Sequence, residues 1–166
     1  RSYNEQTARE IRDNLSRIQE RMAAACSRAG RPLESVTLMG VTKTVDAPRI
    51  QAALDAGVRH MGENRVQEYL GKKDELCLEG VTTHLIGHLQ TNKVARIVGQ
   101  VDMIQSVDSE RLARLIDKES EKKGLVTDVL VRSISAGRKP NRGFCPKNWN
   151  LCCIQWPLWP ISGYGV

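Results

Sequence analysis

Short β-branched runs recur along this chain at intervals of about 20 to 25 residues, and each is followed by a stretch with helical periodicity. The runs are residues 36–44 (VTLMGVTKT), 58–63, 83–87, 103–107 and 127–135. Between them, Asn4 caps a predicted helix to about residue 29, with Ile11, Leu15, Ile18 and Met22 on one face and Gly30 as its stop. Asp46 caps a second through Ile50 and Leu54 to Gly57, and Asn64 with Gln67 reads as a capping box opening a third. Thr91 or Asn92 starts a fourth, and Asp108 or Ser109 a fifth that carries Leu112, Leu115 and Ile116 to Gly124. Alternation of this kind predicts a parallel sheet with helical crossovers, either an open doubly wound sheet or a closed barrel.

In either architecture the loops leaving the C-terminal ends of the strands converge on one mouth. Lys43, Glu63 with Asn64, His84 to His88, Ser106 with Asp108, and Ser135 all fall in or just after those ends. Asn64 and Asp108 are also adequate helix caps, and a lone histidine inside a strand, such as His84, is more often a hydrogen-bonded core residue than a catalyst. Lys43 is the distinctive member. At a half-buried mouth desolvation disfavours the ammonium, and a free amine can attack an aldehyde.

Other chemistries lack their residues. There is no dinucleotide or P-loop glycine pattern, no nucleophile elbow, and no histidine or acidic spacing for a metal. The segment 90–93 (QTNK) could meet an anion at a helix start, although a plain helix start explains it equally well. The net charge of +6 does not imply nucleic acid, because five basic residues and no acidic one follow Val129, leaving 20 Lys+Arg against 19 Asp+Glu before it. Five cysteines without metal or redox spacing predict free thiols in a reducing compartment, and the polar start and lack of a long apolar run predict a cytoplasmic protein. Arg1 in place of Met predicts a trimmed or incomplete N-terminus. After about residue 144 the chain holds all three tryptophans, no acid, and neither the 3.6 nor the 2 period. This divides it into an α/β domain over 1–144 and an aberrant or disordered tail over 145–166, as a shifted reading frame would produce.

Four motifs in order, VTKT at 41–44, HMGENRVQE at 60–68, HLIGHLQTNK at 84–93 and IQSVD at 104–108, resemble those of the pyridoxal phosphate homeostasis protein family. The resemblance covers about residues 5–143. It implies the fold of the alanine racemase N-terminal domain, a (β/α)8 TIM barrel that holds pyridoxal 5'-phosphate, here incomplete with about five βα units. Lys43 matches the lysine that forms the internal aldimine, and Asn64, His84 and Ser106 match positions near the cofactor. Thr42 stands where serine is frequent and Thr83 where tryptophan is common, while Arg138 and Arg142 break a Glu-x-x-Lys-x-Gly pattern. The phosphate loops of later strands have no counterpart, which implies weak cofactor retention.

The implied function is cofactor homeostasis without robust turnover. Lys43 would hold the cofactor and surrender it to amino acids or apoenzymes, with no nucleic-acid, membrane or metal partner. The complete family fold implies a monomer, and the open sheet edge here an association site. Two rivals follow from the same residues. An amino-acid racemase of this fold type needs a second acid/base opposite the lysine, a role that no motif gives to Tyr3, Tyr69 or Tyr164. A truncated remnant that binds nothing would show no lysine-bound cofactor.

Overall fold

A computed structural model describes residues 3–132 and 151–153. The elements, in order, are α1 (Glu5–Arg28), β1 (Met39–Val41), α2 (Ala47–Asp55), β2 (His60–Glu63), α3 (Val66–Lys72), β3 (Thr82–Leu85), α4 (Val94–Ile97), β4 (Met103–Val107), α5 (Glu110–Lys123), β5 (Thr127–Val131) and β6 (Leu151–Cys153). All pairings are parallel, and the strands lie in the sheet in chain order, β1 to β6. A doubly wound sheet reverses its order at a switch point. This one does not, so right-handed crossovers bring the connecting helices to one face.

The caps explain most boundaries. The Asn4 side chain accepts the Thr7 N–H at 2.7 Å, and Ser109 accepts that of Leu112 at 3.3 Å. Gly124 ends α5 at φ 63°, a left-handed position that favours glycine. The expected capping box at Asn64 is absent: Arg65 is the N-cap of α3, without a side-chain cap, and the Asn64 N–H goes to Glu63 Oε2 at 3.2 Å. At 91–93 a 3-10 turn leads into the four-residue α4, too short to offer an anion the dipole of a full helix. Lys93 instead donates to Gln67 Oε1 at 3.0 Å.

The first strand is three residues long rather than the nine of the apolar run. Among the described residues it lies at the sheet edge and pairs with β2 alone, and the chain leaves it through Thr44, which takes φ 60°. The segment lacking a period contributes β6, paired in parallel with β5 from Thr127↔Leu151 to Val129↔Cys153. Main-chain pairing on an open strand edge needs no side-chain pattern. The rest of the proposed tail, with Tyr164, lies outside the described residues, as do Ser135, Arg138 and Arg142 of the proposed α/β domain.

Between the sheet and its helices lies one core, which includes Ile50, Met61, Leu85, Leu89, Ile97, Ile104, Leu112 and Ile116, each at most 1% exposed. Burial of such side chains contributes about 1.5–3 kcal/mol each. The core fixes the C-terminal strand ends relative to one another. Among the described residues, no helix is long and apolar enough to cross a membrane, Cys26 and Cys77 are free thiols, and no cluster of metal-ligating side chains occurs.

Candidate functional site

Parallel pairing in register places the ends of β1 to β4 side by side, so the turns after them share one end of the sheet. Lys43 lies on the turn after β1 and Asn64 directly after β2; Gly87 and His88 follow β3, and Asp108 follows β4. The β2 and β3 turns are in close contact. A Cβ on Gly87 would come within 2.1 Å of the Asn64 carbonyl oxygen, so this position requires glycine. His88 Nδ1 lies 3.4 Å from Asp108 Oδ2 across the next pair of turns.

Lys43 is exposed, not half-buried as its place after a strand implied. The cause is topological: among the described residues β1 is an edge strand, with no strand paired to its free side. The backbone on either side of Lys43 is firmly tied nonetheless. The Thr42 N–H donates to the Gly62 carbonyl at 2.9 Å, and its hydroxyl lies 2.8 Å from Glu63 Oε1. The Thr44 N–H donates to Glu68 Oε1 at 2.5 Å.

These ties meet at Lys72, on the last turn of α3. Its Nζ lies 2.6 Å from Glu63 Oε1 and 3.1 Å from Glu68 Oε1, and donates to the carbonyls of Thr42 at 2.8 Å and Val45 at 3.3 Å. Glu63 is fully buried and Lys72 nearly so. A buried carboxylate and ammonium are sustained only by such pairing, and here the pair shares its hydrogen bonds with the turn. The Thr44 amide above all, with help from Lys72, holds the Glu68 carboxyl below its ordinary value against the opposing effect of burial.

The sheet face turned away from Glu63 carries a polar row. His60 Nδ1 lies 3.1 Å from His84 Nε2, and Gln105 Nε2 lies 3.0 Å from His84 Nδ1. With the amide nitrogen as donor, His84 accepts at Nδ1 and carries its proton on Nε2, directed at His60. Burial first, and then the neighbouring His60, push the His84 pKa below its ordinary value, favouring the neutral ring. Gly62 lies opposite His84, where a side chain would meet the Met39 sulfur at 2.7 Å.

Ser106 is 1% exposed, and its hydroxyl has no hydrogen-bond partner among the described residues. The register of β4 against β5 shifts between Ile104 and Val107, an irregularity of the kind that re-aims a side chain. An unsatisfied buried hydroxyl is uncommon in a folded protein.

Of the four residues expected near a cofactor, Lys43 lies two residues after β1, Asn64 directly after the adjacent β2, and Ser106 one residue before the end of β4. His84 lies deeper, at the third position of β3, engaged by His60 and Gln105. Sequence reasoning assigned no role to His60, Gln105, Lys72 or Glu68. For His60 the signal was available, since strand alternation puts residues 60 and 62 on one face with 84 paired to 62.

No family profile matches the chain. It is 40% identical over 136 residues to the "Pyridoxal phosphate homeostasis protein" of Aquifex aeolicus, covering 82% of this chain and 60% of that protein. The Escherichia coli protein of the same name is 37% identical over 113 residues, 66% of this chain and 48% of that one. The chain thus spans about half the length of the curated relatives it matches. Among solved structures, an unknown protein from Bifidobacterium adolescentis superposes with TM-score 0.73 at 42% identity, covering 77% of this chain and 56% of that one. PipY of Synechococcus elongatus, solved with PLP bound, gives TM-score 0.58 at 42% identity, covering 68% of this chain and 52% of that one.

Proposed function

We infer that this chain, homologous over most of its length to the pyridoxal phosphate homeostasis proteins, binds pyridoxal 5'-phosphate at the C-terminal ends of its strands, with Lys43 as the attachment point. The observation that carries the reading is the turn after β1, which presents a solvent-accessible lysine on a backbone tied at Thr42 and Thr44. The residues present fit the group. An amine, a buried hydroxyl without a partner and an imidazole favoured in its neutral form suit a polar heteroaromatic aldehyde.

When bound, the cofactor supplies an aldehyde that condenses with amines. Lys43 would hold the group through its Nζ, and its exposure would leave that position accessible to amines from solvent. Ser106 offers a hydrogen bond otherwise unmade, and Asn64 lines the mouth beside the turn after β3. The role is that of a cytoplasmic carrier for amino acids or apoenzymes rather than a catalyst. Support for this over a racemase comes from the tyrosines. Tyr69 donates its hydroxyl to the Gln100 carbonyl at 2.7 Å, before the start of β4, and Tyr3 donates to Asp55 Oδ2 at 2.6 Å beside α2, so neither stands opposite Lys43. The unreversed strand order supports placing these strands in a barrel wall, with the His60–His84–Gln105 row facing its interior.

The test is titration with pyridoxal 5'-phosphate, followed by borohydride reduction and peptide mapping. Visible absorbance and a label on Lys43 are expected, both absent in Lys43→Ala. Labelling spread over surface lysines, or unchanged in Lys43→Ala, would refute the site. A folded protein that takes up no cofactor would favour the remnant reading.

A further inference from the structure

The turn after β1 holds Thr44 at φ 60°, a left-handed conformation that a β-branched residue adopts only when its surroundings impose it. What imposes it here is visible. Glu68 Oε1 accepts the Thr44 N–H at 2.5 Å, and the same oxygen lies 3.1 Å from Lys72 Nζ. Lys72 is anchored on the buried Glu63 and reaches the carbonyls of Thr42 and Val45, on either side of the Lys43–Thr44 pair. Within the turn the Val45 N–H donates to the Thr42 carbonyl at 3.2 Å and the Thr44 hydroxyl to the Lys43 carbonyl at 2.6 Å, while the side chains that reach it from outside, Glu68, Lys72 and Glu63, come from α3 and the end of β2.

We propose that Glu68, held by Lys72, is a positioning residue that fixes the Lys43–Thr44 turn and thereby aims the Lys43 amine. The inference rests on the assignment of Lys43 above. Its physical content is conformational. Without an acceptor for the Thr44 amide, the residue relaxes to negative φ, which rotates the peptide joining it to Lys43 and disperses the directions of the lysine side chain. Glu68 touches no reacting atom in this account; it acts through the backbone.

Glu68→Ala leaves the Glu63–Lys72 pair in place, so the variant is expected to fold. Two readouts decide the matter. In the free protein, hydrogen exchange at the Thr44 amide should accelerate about tenfold or more, the scale of a lost hydrogen bond to a charged group, while amides of β2 and β3 keep their protection. With pyridoxal 5'-phosphate, borohydride-trapped label on Lys43 should fall several-fold relative to other lysines. Glu68→Gln, which keeps an acceptor oxygen but not the charge, should restore most of both. Unchanged labelling of Lys43 in Glu68→Ala overturns the proposal, as does an equal loss in Glu68→Ala and Glu68→Gln, which would mark the effect as one of charge. If Lys43→Ala itself leaves the labelling unchanged, the Lys43 assignment has failed, and the clamp then stands or falls on Thr44 exchange alone.

Discussion

Lys72→Met is the perturbation that most directly probes how the end of the sheet is held together. Methionine matches the length of the lysine stem, so the packing around α3 is largely kept while four oxygens lose their cationic partner. The decisive one belongs to Glu63, whose side chain is 1% exposed and which retains only the Thr42 hydroxyl and the Asn64 N–H. Removing one member of a buried pair costs about 3–5 kcal/mol, mainly as the penalty of the stranded charge. Glu63→Gln added to Lys72→Met removes that charge and should recover most of the loss. A residual of about 1–2 kcal/mol should remain, because the Val45 carbonyl loses its Lys72 donor and the Thr42 carbonyl keeps only the Val45 N–H. Urea unfolding of the parent, both single variants and the double variant gives the coupling energy directly, provided the m-values agree. Strict additivity, with coupling below about 0.5 kcal/mol, would show that the pair is not the buried unit its geometry describes.

Two further outcomes follow from the polar face and the strand ends. His84 titrates below its ordinary value of about 6.5, so the unfolded chain binds more protons, and stability should be fully present above about pH 6.5 and decline as pH falls through the depressed value. Urea unfolding from about pH 7 to about pH 5 should show that slope flattened in His84→Gln, and an identical slope in both proteins would place its origin elsewhere. Gly87→Ala should cost about 1–3 kcal/mol or more in thermal unfolding, since its Cβ would meet the Asn64 carbonyl rather than a side chain able to move. A melting temperature equal to the parent's would contradict the close approach of these two turns.

How much of this was legible in the residues depends on whether a property is local. Asn4, Ser109 and Gly124 act on amides within a few positions of themselves, and the sequence announces them. The spacing of the runs indicated a parallel sheet but left its strand order open between a doubly wound sheet and a barrel, and the short length of β1 goes with a turn at Thr44 that no threonine advertises. The Asn64 capping box failed because its amide is taken by Glu63 next door, a competition decided by burial.

The charges at the site show the same division more sharply. Glu68 and Lys72, four apart on a helix, read in sequence as an ordinary surface pair worth a few tenths of a kcal/mol. Only the tertiary arrangement, which sets α3 against the turns leaving β1 and β2, turns them inward to meet Glu63 and the Lys43 turn. Lys43 could be singled out because its neighbours match a known family and it follows a strand. The residues that fix its direction could not, since their signal is an absence of water that no window of the chain encodes. The same reasoning accounts for its exposure. Among the described residues β1 pairs with β2 alone, which leaves Lys43 exposed, while the polar ties from α3 and the end of β2 act on the backbone that carries it.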